Sequence, residues 1–534
     1  MRINTEYRNI KDRAISPSVS IEDTSGDKHS DKIFSIDALP GIIDEHRKNG
    51  KRIIHCHGVF DLLHIGHIRY FKQAKEMGDI LVVTVTSDKF VDKGPGRPAF
   101  NEDLRAEAIA SLKHVDYVAV NKWDTAEETL RLIKPDIYVK GSEFKNTGSD
   151  YTGKIAREVE VINEIGASIA FTEDIVFSSS NLINRYMSGF SEETDHYLTL
   201  FRKRYSIDQV NEILEKMASL RVLVIGDTIL DEYQYCQTIG KSSKDPTLAL
   251  KYQSHEVFAG GVLAVANHVS NFAGNVKLAT VLGEQDSRED FVKANLNRNI
   301  SPYFLMHPEA PTIIKRRFID GYSTNKLFEV YVMNDTDLPP EEISRMTGWL
   351  REVSGDYDMV IASDFGHGAI SREMVRVLTA KSKFLAVNTQ ANAGNRGFHT
   401  ITRYPRADYA CIAEHELNLE TRSQNGNIRS LMDITAAKIG CSQFVVTRGR
   451  KGCAICDESG GFIQVPAFAR NVVDRVGAGD AFLAVTSMAS VLGTDNELLA
   501  FIGNVVGSLA VEVLGNKKPI DKLSVQKYIV SLLK

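Results

Sequence analysis

Cysteine is scarce in this chain. Six in 534 residues, Cys56, Cys236, Cys411, Cys441, Cys453 and Cys456, are too few and too scattered for a disulfide framework. Cys453 and Cys456 have the spacing of a redox or zinc half-site, but they lie in an apolar, strand-like run with no second pair, so buried thiols are expected. Long apolar runs are missing too: none reaches the length of a membrane span and the N-terminus has no signal-peptide core. No membrane association is therefore expected, and the cytoplasm is the expected address. A basic stripe is also lacking, and 64 Lys and Arg against 69 Asp and Glu leave a formal net charge of -5, which gives no reason to expect nucleic acid as a partner. No internal repeat is visible. What is present is the composition of a soluble globular protein, 43% hydrophobic and 25% charged. At about 150 residues per domain, the length predicts two to four domains.

Residues 1–31 are polar and read as a flexible or packing arm. Ser35 caps an expected helix over 36–47, interrupted near Pro40. From 51 to about 185 the pattern alternates, with apolar runs at 53–56, 80–86, 115–120, 137–139 and 168–171 separated by helical stretches such as 102–112 and 127–133. That alternation predicts a domain over 32–187 with a doubly wound, Rossmann-like parallel sheet binding its ligand at the carboxyl ends of the strands. Residues 188–220 read as a structured helical connector in which Ser206 caps a helix with Ile207, Val210, Leu214 and Met217 on one face. A second α/β domain, 221–534, opens with a buried strand over 222–227. Further strands are expected at 276–281, 359–363, 384–387, 444–447 and 454–456, and a small lid sheet from 245–253 and 312–333.

The first half is organised around residues 52–69. A β-prone run ends at Gly58, a turn carries Phe60 and Asp61, and His64-Ile65-Gly66-His67 opens a segment with helical spacing. The N–H groups and positive dipole end of a helix start suit phosphate. Gly66 lets a phosphate chain come close, and the flanking histidines can donate to oxygens as negative charge builds on them. The combination points to a reaction at a nucleoside triphosphate. The string resembles the signature of the nucleotidylyltransferase superfamily, and 58–67 is close to its cytidylyltransferase and sugar-phosphate adenylyltransferase branches. Thr86-Ser87-Asp88, Gly96-Arg97-Pro98, Arg105, Val139-Lys140-Gly141 and Ser178-Ser179-Ser180 continue the pattern in order. The resemblance implies catalysis by His64 and His67. It also implies nucleotide contacts from Gly58, Phe60, Asp61, Gly66, Lys93, Arg105, Lys140, Gly141, Ser178, Ser179 and Ser180.

The second centre is 472–480, where Gly477, Ala478 and Gly479 put small residues just before a helix so that their N–H groups converge on an anion. Asp480 reads either as a helix cap or as the base that takes a proton from a substrate hydroxyl. This stretch resembles the hallmark of the ribokinase or PfkB carbohydrate kinases and implies a ribokinase-like α/β domain with a small β lid. The resemblance carries Asp227, Asp231, Gly260 and Gly261 to the sugar, and Thr447, Gly449 and Gly452 to the nucleotide beside the Gly477–Gly479 anion hole. It carries Glu416 indirectly to magnesium. Departures are Arg475 where Thr is usual, Ala264 where the sugar-site Asn falls, and Asn388-Thr389-Gln390 for Asp-Pro-Lys.

The two halves together resemble the bifunctional heptose kinase/adenylyltransferases of ADP-heptose synthesis, in reversed order. The resemblance implies ATP-dependent phosphorylation of a sugar or sugar phosphate in the C-terminal half. In the N-terminal half it implies transfer of a nucleotidyl group from ATP or CTP to a sugar phosphate, with Mg2+ in attendance. A homo-oligomer is expected. The alternative is a nucleotidylyltransferase whose kinase-like half only binds or dimerises.

Overall fold

The computed structural model describes residues 30–142, 154–172, 189–334, 336–395 and 397–534. Two compact units divide them, one from 1–87 and 101–174, the other from 88–100 and 175–534.

In the first unit, β1 (Ile53–Gly58), β2 (Ile80–Thr86), β3 (Tyr117–Asn121), β4 (Ile137–Lys140) and β5 (Ser168–Phe171) lie in the order β3-β2-β1-β4-β5, all parallel. Helices cover both faces, so the strands read as near-continuous apolar runs. Ile54, Cys56, Val83 and Val85 join a core with Phe71 of helix Ile65–Glu76 and Ile109 of helix Glu102–Ala110. Ile53 and Val82 turn the other way, toward Leu39 and Ile43 of helix Leu39–Lys48. That helix starts later than the sequence predicts, because Pro40 occupies its first turn, where no N–H is needed. Its N-terminus is uncapped by any side chain, Ser35 included. The strand order reverses between β1 and β4, opening a crevice at their carboxyl ends where β1 delivers the histidine string.

The second unit holds β6 (Arg221–Lys241), β7 (Leu248–Gly261), β8 (Asn275–Gly283), β9 (Ile300–His307), β10 (Ile313–Asp320), β11 (Lys326–Val332), β12 (Met359–Asp364), β13 (Leu385–Thr389), β14 (Tyr409–Ala413), β15 (Gln443–Thr447), β16 (Cys453–Asp457) and β17 (Phe462–Val465). Its main sheet runs β9-β8-β6-β12-β13-β14-β15-β16-β17, parallel through β15 and antiparallel after it. One strand serves two layers. Residues 221–227 of β6 pair with β8, and the rest of the strand pairs with β7 and β10, while β11 closes the lid beyond β10. Val222 and Val224 enter one core and Leu223 and Ile225 the other, as alternation along a strand requires. The same alternation sends Cys453 and Cys456 to opposite faces of β16, and all six cysteines are buried and free.

Helices Glu192–Arg204 and Ile207–Lys216 occupy the segment expected as a connector. They bury Leu198, Phe201, Val210 and Leu214 in this unit's core, with Phe201 stacked on Phe501 at 4.0 Å between ring centroids. Ser206 and Gln209 cap the second helix reciprocally at 3.2 and 2.8 Å. Among the described residues no helix is long and apolar enough to cross a membrane.

Candidate active sites

In the first unit the chain leaves β1 through Gly58, where a Cβ would lie 2.9 Å from the Phe60 ring. Phe60 takes the left-handed region at φ 48 and sets its ring edge-on to His67, 5.3 Å between centroids. Asp61 is buried beside it. His64 is the N-cap of helix Ile65–Glu76, its Nδ1 accepting the Gly66 N–H at 3.1 Å. Burial lowers the proton affinity of His64, so the ring is neutral and carries its proton on Nε2 as a donor. His64 and His67 stack at 3.9 Å, putting two imidazoles at one helix start. That arrangement suits oxygens gaining negative charge.

Arg105 and Lys140 are brought to this site, and each already has partners within the protein. Arg105 is 2% exposed and donates to the carbonyls of Val59 at 2.5 Å and Thr86 at 2.9 Å, tying the motif turn to the end of β2. Lys140 forms a buried ion pair with Glu158 at 2.8 Å, so its charge is already matched. Gly141 follows β4, and Lys93 lies on the 88–100 stretch grouped with the second unit. Ser178, Ser179 and Ser180 lie outside the described residues. Sequence reasoning missed His55 and His57. Thr84 Oγ1 meets His55 Nε2 at 2.8 Å and His57 Nδ1 at 2.9 Å, and Thr86 meets His57 Nε2 at 3.3 Å. Burial, aided by the charge of Lys140, pushes His55 down to about 3 and His57 well below its ordinary value, leaving a neutral chain of hydrogen bonds behind the motif. Their two-residue spacing on β1 was the available signal.

In the second unit, helix Ala478–Val491 starts at Gly477, whose φ of 82 and whose approach to Asn516 Oδ1, 2.0 Å from any added Cβ, exclude a side chain. Ala478 N–H turns back to the Arg475 carbonyl at 3.4 Å. A Cβ on Gly479 would point into open space, which leaves room for an anion over the first-turn N–H groups. Asp480 does not cap this helix. It lies inside the first turn, buried, and accepts from Gln390 Nε2 at 3.1 Å. Burial, with the charge of Asp231 adding to it, raises its proton affinity to about 7, where a general base is useful.

Asp231 pairs with Arg317 and accepts from Asn516 at 3.3 Å. Gly260 abuts it, since a Cβ there would lie 2.1 Å from Asp231 Oδ2, and Gly261 at φ 57 would meet the Asp227 carbonyl at 2.5 Å. Asp227, expected at the sugar, also holds the backbone. Its two oxygens accept the N–H groups of Phe365 and Ala369, each at 2.9 Å, anchoring the loop after β12. Asp227, Thr228, His307, Thr312 and His367 help line a cleft of about 440 Å³. Beyond Thr447 at the end of β15, the Arg448 N–H closes a turn on the Gly452 carbonyl at 2.7 Å. Gly449 and Gly452 take φ of 57 and 80 there.

Residues 219–523 match the family model described as pfkB family carbohydrate kinase, which is more than half of the chain. The chain belongs to the pfkB family of carbohydrate kinases. Residues 55–185 of this pfkB-family protein match a second model, described as cytidylyltransferase-like. Proteins named "Bifunctional protein HldE" are similar to its N-terminal part. That of Geobacter metallireducens is 34% identical over 187 residues, 34% of this chain and 36% of the relative, and that of Nitratiruptor sp. is 46% identical over 119 residues, 22% and 25%. The chain thus spans between a quarter and about a third of the length of these curated relatives. Among solved structures, phosphofructokinase-2 from Escherichia coli aligns with TM-score 0.48 at 15% identity, covering 59% of this chain and all of that one. Ribokinase from Thermotoga maritima aligns with TM-score 0.47 at 16%, covering 58% and 99%.

The departures of this pfkB kinase unit from the family pattern have physical content. Asn388 donates to the Cys411 carbonyl at 2.7 Å, and Gln390 reaches Asp480 itself. Ala264 is buried in helix Val262–Ser270. Arg475 is exposed beside the anion nest. Glu416 accepts the N–H groups of Ala391 and Ala413 at 2.9 and 2.7 Å, so both its oxygens are occupied. Among the described residues no group of three His, Cys, Asp or Glu is placed to hold a metal ion.

Proposed function

We propose that the chain makes a nucleotide-activated sugar with two separate sites. In the kinase unit, Asp480 takes the proton of a hydroxyl on a sugar or sugar phosphate. That oxygen bonds to the γ-phosphorus of ATP, and ADP leaves with the bridging oxygen. In the cytidylyltransferase-like unit, a phosphate oxygen of the sugar attacks the α-phosphorus of ATP or CTP and pyrophosphate leaves. His64 and His67 hold the departing oxygens at the helix start. Magnesium would enter with the nucleotide as its phosphate complex. The relatives' name and the resemblance to heptose kinase/adenylyltransferases support a joint role of this kind. The observation that carries the kinase reading is the buried Asp480, its proton affinity raised by burial, seated next to an anion nest.

A binding-only kinase unit is the second reading, favoured by Gln390 standing where the family pattern has a lysine. A homo-oligomer fits the exposed Phe328 and Val330, which share a face of β11. A cytoplasmic address fits chemistry that draws on ATP. The test is mass spectrometry of products from ATP or CTP, magnesium and a mixture of sugars and sugar phosphates. His67→Ala should abolish pyrophosphate release alone and Asp480→Asn phosphorylation alone. Pyrophosphate without any sugar-dependent ADP selects the binding-only reading.

A further inference from the structure

Lys315 is a buried cation to which none of the motifs assigns a role. It sits on β10, 6% exposed, opposite Asp231 of β6 and Tyr331 of β11 in the sheet register. Its ammonium lies 5.0 Å from the Tyr331 ring and 5.9 Å from the Phe365 ring. Among the described residues it has no hydrogen bond or ion pair, although a buried charge normally has one. Burial lowers its proton affinity and the nearby carboxylates raise it again.

Each carboxylate around it already has hydrogen-bond partners. Asp231 has Arg317 and Asn516, and Glu329 has Arg317 at 3.0 Å. Asp227 has two backbone amides, Asp364 has His399, Arg403 and Tyr404, and Asp480 has Gln390. The neighbouring His367, held neutral by burial and by the charge of Lys315, brings no anion either. The ammonium's donors are therefore unengaged among the described residues, and its charge reaches Asp227, Asp231 and Asp480. Cation–π contact with two rings offsets part of the cost of burial and leaves the ammonium's donors for a visiting oxygen.

We propose that Lys315 is a catalytic residue of the kinase unit, meeting the negative charge of the phosphoryl group as it passes from ATP to the acceptor oxygen. This rests on the kinase reading above. Lys315 stays an ammonium throughout: the γ-phosphorus parts from the bridging oxygen, which leaves on ADP, the acceptor oxygen bonds to it, and the proton goes to Asp480. Donors of this kind typically contribute roughly 10²- to 10³-fold in kcat.

The test uses the full chain with magnesium ATP and a mixture of pentoses, hexoses, heptoses and their phosphates, reading ADP formation and the unfolding temperature. Lys315→Met is expected to lower kcat at least 100-fold with the KM for ATP within twofold of the parent, and Lys315→Arg to recover at least tenfold of that loss. A kcat within threefold of the parent, or a rise in acceptor KM at unchanged kcat, overturns the proposal. If Lys315→Met fails to fold, Lys315→Gln takes its place and is read by the same criteria: a kcat lowered at least 100-fold with unchanged KM for ATP supports the proposal and a kcat within threefold of the parent overturns it. A parent chain that forms no ADP on any acceptor, or an Asp480→Asn variant as active as the parent, overturns the kinase reading instead.

Discussion

If Asp480 is the base, its ionisation should set the acid limb of phosphoryl transfer. Burial lifts its carboxyl from 3.8 to about 7, so kcat/KM should fall tenfold per pH unit below that point and stand at about a tenth of its plateau at pH 6. Gln390 stabilises the charged form through its hydrogen bond at 3.1 Å. Such a bond to a charged group contributes about 1.5–3 kcal/mol, and one pH unit is worth about 1.4 kcal/mol, so Gln390→Met should move the limb up by about one to two units. The sign for stability runs the other way. The native carboxyl keeps its proton between pH 4 and 7 while the unfolded one has lost it, so this group's contribution is largest below pH 4 and declines as pH rises to 7. Asp480→Asn removes that decline and should stabilise the second unit at pH 8 by up to about 4 kcal/mol, three pH units' worth, while ending phosphorylation. Initial-rate profiles from pH 5.5 to 8.5, with thermal unfolding at pH 5 and 8, measure both effects. A flat profile from 5.5 to 7.5, or a limb that Gln390→Met leaves in place, would refute the reasoning.

Three further outcomes follow from the packing. Arg105→Met leaves the Val59 and Thr86 carbonyls without their donor, and should destabilise the first unit by about 2–4 kcal/mol in denaturant titration. Unchanged stability with a raised nucleotide KM would return Arg105 to the nucleotide. Lys140→Met strands the buried Glu158 and should cost about 3–5 kcal/mol, much of it recovered when Glu158 is also replaced by Leu. Gly479→Ala meets open space and should fold normally yet lose ATP-dependent turnover, whereas Gly477→Ala, at φ 82 against Asn516, should lower the unfolding temperature.

Much of this was legible because both sites begin at a helix start, and such starts leave local marks: the histidine string at 64–67, small residues at 477–479, an acid just beyond. The β/α alternation was equally plain in strands buried on both faces, while β9, β14 and β17 escaped notice. What could not be read was which charges face one another. Arg105 and Lys140 read as phosphate partners, and only the fold shows that Val59, Thr86 and Glu158 already engage them. Asp227 reads as a sugar ligand, and only the fold brings the amides of Phe365 and Ala369, well over a hundred residues away, onto it. Lys315 was overlooked for the same reason, since a buried ammonium with unengaged donors is defined by neighbours that only the fold assembles.

Because the backbone of β6 continues unbroken from the body of the second unit into the sheet above the cleft, that cover has no pliable joint on this side. Any opening must be absorbed as torsion spread along a hydrogen-bonded ribbon, with Asp231 partway along it. Substrate entry and the aim of that carboxylate are then mechanically one variable, and stiffening or loosening the ribbon should alter both together.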